Sequence, residues 1–139
     1  MPYNHQARGT TPWLLFLDCV GAGARVVEFM VKFSILFHKP ANLDRFENTY
    51  NDFLALVERM TNIRRRQVNS ILGSPLGETR VYRVLEVYFD DYTQMNESLR
   101  SPAGQEAGAE LQKLPPGSFE MFFADVQEET GGSTPRPQP

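Results

Sequence analysis

Very little in this 139-residue chain can act as a soft metal ligand or a thiol nucleophile, because it contains one cysteine, Cys19, and two histidines, His5 and His38. Between Met30 and Glu129 there is no cysteine and only His38. A disulfide framework, a Cys–His pair and a structural zinc site are therefore excluded from that region, and no metal and no cofactor is expected there. A surplus of positive charge is also missing. With 14 basic and 17 acidic residues the net charge is −3, which argues against a surface that tracks phosphates and hence against a nucleic-acid partner. No apolar run approaches the roughly 20 residues of a membrane-spanning helix, so no membrane partner is expected. In "WLLFLDCVGAGA" Asp18 interrupts the apolar run, and no basic cluster precedes it, so a secretory signal is not expected. The expected location is the cytoplasm.

What is present is a set of clear periodicities. In "MVKFSILFHKP" Val31, Phe33, Ile35 and Phe37 fall on one face of an extended chain and Lys32, Ser34, Leu36 and His38 on the other. This reads as the first strand of a domain. Residues 1–29 then read as a disordered extension or a misassigned start. After Pro40 the spacing becomes helical: Leu43, Phe46, Tyr50, Phe53, Leu54, Val57 and Met60 recur every three or four residues, with Asn42 placed to cap. A second strand is expected over Ile63–Leu72, and "TRVYRVLEVYFDD" supplies a third.

Asp90 or Asp91 is placed to cap a short helix, Ser101-Pro102 opens another, and "SFEMFFADVQEE" reads as a fourth strand. The domain is thus expected over residues 30–129, with a disordered tail, rich in Gly, Pro, Ser and Thr, over 130–139. The order β-α-β-β-α-β is a ferredoxin-like α+β sandwich, with both helical regions on one face of an antiparallel sheet. The third and fourth strands offer apolar residues to both faces. Pairing with a second copy, sheet against sheet, would cover the remaining face, so a homodimer is expected.

"VKFSILFHKP", "YFDDYTQMNESLR" and above all "SPAGQEAGAELQKL", with its Leu-x-Ser-Pro-x-Gly-Gln run starting at Leu99, resemble the EthD family, named for ethyl tert-butyl ether degradation. That family lies in the dimeric α+β barrel superfamily. The resemblance spans Met30 to Glu129 and implies the same fold and a dimer. Its superfamily includes monooxygenases of aromatic polyketides, muconolactone isomerases, decarboxylating dehydratases and haem enzymes of the chlorite type. Many EthD-like proteins carry a histidine on the first helix shortly after a tyrosine. Here Tyr50 is followed by Asn51, Asp52, Phe53 and Leu54, so that role cannot be carried over.

The candidate site residues follow from chemistry. His38, at the end of the first strand, is the available general base, or a surface histidine at a strand end. It is also the ligand on which a haem-binding alternative would rest. Tyr50, on the buried helix face, either orients a substrate oxygen or is a core tyrosine bonded to backbone. Tyr82, Glu86 and Tyr88 alternate onto one face of the third strand, where they line a pocket or meet the dimer partner. Glu86 requires a counter-charge, for which Arg65 or Arg83 is available. Arg65 could also hold an anionic substrate group, or belong with Arg64 and Arg66 to a solvated strand edge. The expected function is binding of an apolar or aromatic metabolite in a cleft between helices and sheet. Cofactor-free oxygenation, isomerisation or dehydration in oxidative catabolism would follow, making the protein an oxidoreductase in the first case. The alternative is a non-catalytic accessory or ligand-carrying dimer beside an oxygenase.

Overall fold

The computed structural model describes residues 30–128. The extension over residues 1–29 and the tail over 130–139 lie outside the described residues. Seven elements follow one another: β1 Val31–His38, α1 Leu43–Val57, β2 Arg65–Ser70, β3 Val81–Phe89, α2 Tyr92–Arg100, α3 Pro102–Leu111 and β4 Phe119–Asp125. The four strands form one sheet in the order β2-β3-β1-β4, with every neighbouring pair antiparallel. This is the ferredoxin-like α+β arrangement expected, with the second helical region divided in two.

The alternation in β1 explains the layering. Phe33, Ile35 and Phe37 are buried on the helix face, where they meet Leu85, Val87 and Phe89 of β3 and the apolar stripe of α1, Phe46, Tyr50, Phe53 and Val57. Each fully buried side chain of this size contributes about 1.5–3 kcal/mol relative to exposure. Asn42 caps α1 as expected, its Oδ1 accepting from the Arg45 N–H at 3.0 Å. The helix ends at Val57 rather than Met60, because the chain tightens there into turns in which the Arg59 and Met60 N–H groups bond to Leu56 and Val57.

Ser101 closes one helix and opens the next. Its Oγ donates to the Ser98 carbonyl at 2.6 Å and accepts from the Gly104 N–H at 3.1 Å. The approach is close enough that a Cβ at position 104 would lie 2.6 Å from the Leu99 carbonyl oxygen. Only glycine fits.

One irregularity positions side chains. Phe37 pairs with Arg83 but His38 pairs with Val81, so Tyr82 is an extra residue in β3. Such a bulge re-aims the strand's side chains. Tyr82 and Arg83, adjacent in sequence, both reach Glu47 on α1. This corrects the expectation that Tyr82 shares a face with Glu86 and Tyr88, which assumed unbroken alternation.

Candidate functional site

A cavity of about 470 Å³ opens where β1 ends. Pro40 ends the strand, the 39–42 turn leads into the capped start of α1, and the loop between α3 and β4 closes the other side. In that loop Pro115-Pro116 stops the helical path, and Gly117 takes φ +77°, a conformation costly for other residues. The His38 N–H donates to the Ser118 carbonyl at 3.0 Å, fastening the loop to the strand. Phe46, Leu114, Pro40 and Pro115 supply apolar lining, and His38, Lys39 and Arg45 supply the ionisable groups.

His38 lines this cavity and a smaller one of about 280 Å³ formed with Lys39, Glu78, Thr79 and Arg80. Its side chain is 18% exposed, and Nε2 lies 3.2 Å from Glu120 Oε2. A carboxylate on one ring nitrogen orients the ring and favours one tautomer. The ring is thus held by Glu120 at the edge of a partly apolar space.

Behind Phe46 lies a charged aromatic cluster. The Phe46 ring stacks on Tyr50 at 5.6 Å and meets Tyr82 edge-on at the same distance. Arg83 clasps Glu47 with two bonds of 3.1 and 3.0 Å, and the Tyr82 hydroxyl donates to the same carboxylate at 3.0 Å. The Arg83 guanidinium also lies over the Tyr50 ring, 4.5 Å from its centre. The Arg83 bonds hold the Glu47 carboxyl below its ordinary value, against the opposing effect of burial and with help from Tyr82. Burial pushes the Tyr50 phenol up, outweighing the nearby Arg83 charge. Its buried hydroxyl makes no hydrogen bond of ordinary geometry among the described residues. Tyr50 does not itself line the cavity; it stacks on Phe46, which does.

The other sheet face holds a separate network. Lys32 Nζ sits 2.9 Å from Glu86 Oε2, so the counter-charge of Glu86 is Lys32, not Arg65 or Arg83. The register explains this: Lys32 lies opposite Tyr88 and Ser34 opposite Glu86, making Lys32 and Glu86 diagonal neighbours on one face. Burial raises the Glu86 carboxyl, but the bond and charge of Lys32, aided by the Tyr88 hydroxyl, leave it below its ordinary value. Tyr88 donates toward Gln67 and Glu86, and Arg65 stacks on its ring at 4.2 Å. Arg64 and Arg66 pair with Asp90 and Glu58.

The candidate residues therefore divide. His38 lines the cavity, Tyr50 and Tyr82 lie in the cluster behind it, and Arg65 and Glu86 belong to the far face. Glu47 and Glu120 escaped the sequence reading, because their roles depend on strand pairing and on the bulge. Among the described residues no group of three or more His, Cys, Asp or Glu side chains is placed to hold a metal ion. None of the described helices is long and apolar enough to cross a membrane.

No family model matches the chain. It is 27% identical over 102 residues to an uncharacterized 11.0 kDa protein of Rhodococcus erythropolis from the thcB-thcC intergenic region, covering 70% of this chain and 96% of that one. Among solved structures, an EthD family protein from Bacillus halodurans is 26% identical with a TM-score of 0.67, over 70% of this chain and 99% of its own. The resemblance to the EthD family is borne out. Hydroxynitrile lyase from Passiflora edulis matches at 12% identity and TM-score 0.61, over 76% of this chain and 100% of its own. A mutant of SnoaB, a cofactor-independent oxygenase from Streptomyces nogalater, matches at 15% and 0.55, over 72% and 95%. These two likenesses concern the fold. Similar folds from Bacteroides fragilis and Thermobifida fusca, 19% and 10% identical with TM-scores of 0.53 and 0.56, over 70% and 77% of this chain and 96% and 100% of their own, are described as dimeric.

Proposed function

We propose that this protein binds an apolar or aromatic small molecule in the 470 Å³ cavity at the end of β1 and that His38, oriented by Glu120, exchanges a proton with it. The observation that carries this reading is that His38, the sole histidine among the described residues, lines a cavity walled by Phe46, Leu114 and prolines. The volume falls within the roughly 300–1,000 Å³ usual for small-molecule sites. One base beside an apolar space suits removal of a proton from an activated carbon. That step begins an isomerisation, a dehydration or a cofactor-free oxygenation. The EthD likeness and the oxygenase and lyase neighbours support this class of chemistry without selecting one reaction.

The active unit in this proposal is a homodimer. On the sheet face away from the helices Phe122 is 45% exposed, with Leu36 and Val84 partly exposed alongside, and a second copy would cover them. Light scattering at micromolar concentration should give the dimer mass; a monomer mass would remove this part of the proposal.

The test of the chemistry begins with a panel of aromatic and alicyclic compounds screened for binding by thermal shift and then for turnover. His38→Ala should lower turnover roughly 10²–10⁴-fold and leave binding intact. The alternative, an accessory or carrier dimer, is favoured by the absence of a histidine from α1. It requires His38→Ala to change nothing while Phe46→Ala weakens binding. The two readings therefore differ in turnover and its sensitivity to His38→Ala, while both expect Phe46→Ala, at the cavity wall, to weaken binding.

A further inference from the structure

The cations of this domain are not evenly served by carboxylates. Among the described residues Lys32, Arg59, Arg64, Arg66, Arg83 and Lys113 each lie within 4 Å of one. Arg65 lies on the Tyr88 ring, and Arg100 bonds to Asn96. Lys39, Arg45 and Arg80 have no carboxylate partner among the described residues, and all three gather around His38. Lys39 and Arg45 line the larger cavity, and Lys39 and Arg80 the smaller. In a chain with more acidic than basic residues, unpaired cations are not forced by composition.

The carboxylates nearby do not neutralise them. Glu120 is held by His38, Glu78 lines only the smaller cavity, and Asp44, in the first turn of α1, lines neither. Among the described residues the larger cavity thus presents apolar walls, one histidine and two cations, with no acidic side chain in its lining. We infer that its ligand is an acid: an aromatic or apolar body seated on Phe46 and Leu114, with a carboxylate received by Lys39 and Arg45. The inference rests on the reading of this cavity as the ligand site and narrows its substrate class. Arginine matches a carboxylate with paired N–H donors, and lysine adds a point charge. Because both side chains are exposed, solvent screens them. The preference for an acid should therefore be moderate and should weaken with salt.

Calorimetric titration with 1-naphthoate and its neutral match 1-naphthamide tests this. At about 20 mM salt the acid should bind roughly tenfold more tightly than the amide, and the gap should close at about 500 mM. In the Lys39→Gln/Arg45→Gln double variant the acid should fall to the affinity of the amide, whose own affinity should not change. Exposed positions make misfolding an implausible cause of that loss. If the amide binds the unmodified protein as tightly as the acid, or the acid keeps its advantage in the double variant, the inference is overturned and the cavity reading stands. Absence of saturable binding by both compounds overturns the two together.

Discussion

Replacing Glu47 with alanine would remove three hydrogen bonds at once, two from Arg83 and one from Tyr82. It would leave a guanidinium that is only 15% exposed lying over aromatic rings without its counter-ion. The cost lies between two limits. Exposed ion pairs contribute about 0.2–1 kcal/mol, and breaking a buried pair costs about 3–5 kcal/mol. Glu47 is 33% exposed, so about 2–3 kcal/mol is expected. For a domain of this size each kcal/mol moves the melting temperature by about 4–8 °C, giving a drop of roughly 10–20 °C.

Arg83→Met should cost less, about 1–2 kcal/mol, because the carboxylate left behind is the more exposed partner and can be hydrated. The double substitution should then cost less than the sum of the singles by about 1–2 kcal/mol, the coupling of the pair. Urea unfolding of all four proteins at one fixed protein concentration measures each quantity, with the concentration held because the apparent stability of the proposed dimer would depend on it. A coupling below about 0.5 kcal/mol, or a larger loss from Arg83→Met than from Glu47→Ala, would refute the placement of this pair between the surface and buried limits.

Gly104→Ala should cost at least about 1–3 kcal/mol and raise amide exchange across α2 and α3, since the new methyl meets the backbone oxygens of Ser98 and Leu99 rather than a side chain that can turn away; unchanged stability would show that the corner can open. Glu47 and Glu86 both titrate below their ordinary 4.5 in the folded protein. The stability they contribute is therefore complete above that value and is lost as pH falls through the lowered folded pKa values. Glu47→Gln and Glu86→Gln should each flatten the fall in urea midpoint between about pH 5 and pH 3, and a profile as steep as that of the unmodified protein would contradict the assignment.

The fold was legible because its signals are local. β1 alternates without a break, Asn42 precedes a clear three-four spacing, and Ser101-Pro102 is a start signal with one geometry. The cap at Asn42 and the helix start at Pro102 stand where those residues placed them. β2 was read too long, over Ile63–Leu72 rather than Arg65–Ser70. Ile63 and Ile71 have strand-like character, but pairing with β3, not propensity, determines where a strand ends. In the same way Met60 continues the apolar spacing of α1 and is buried, although the helical backbone stops before it.

The site was legible only in part, because its geometry depends on register, which no single stretch of sequence carries. His38 could be nominated from its isolation in the composition. That Glu120 would lie against it could not, since the partnership requires β4 to pair with β1 so that Glu120 faces Leu36. Strict alternation grouped Tyr82 with Glu86, and one extra residue in β3 moved it instead to Glu47 on α1. The consequence reaches the cavity wall. With Tyr82 and Arg83 both directed to α1, Phe46 is held from behind by two edge-on or stacked rings and a fixed cation. In the proposed ligand cavity the wall is therefore backed by packed rings, whereas Lys39 and Arg45 stand at exposed positions. Deleting Tyr82 should restore the alternation and remove one of the two rings that hold Phe46, leaving Tyr50 and Arg83 against it, and a lowered thermal midpoint would report that loss.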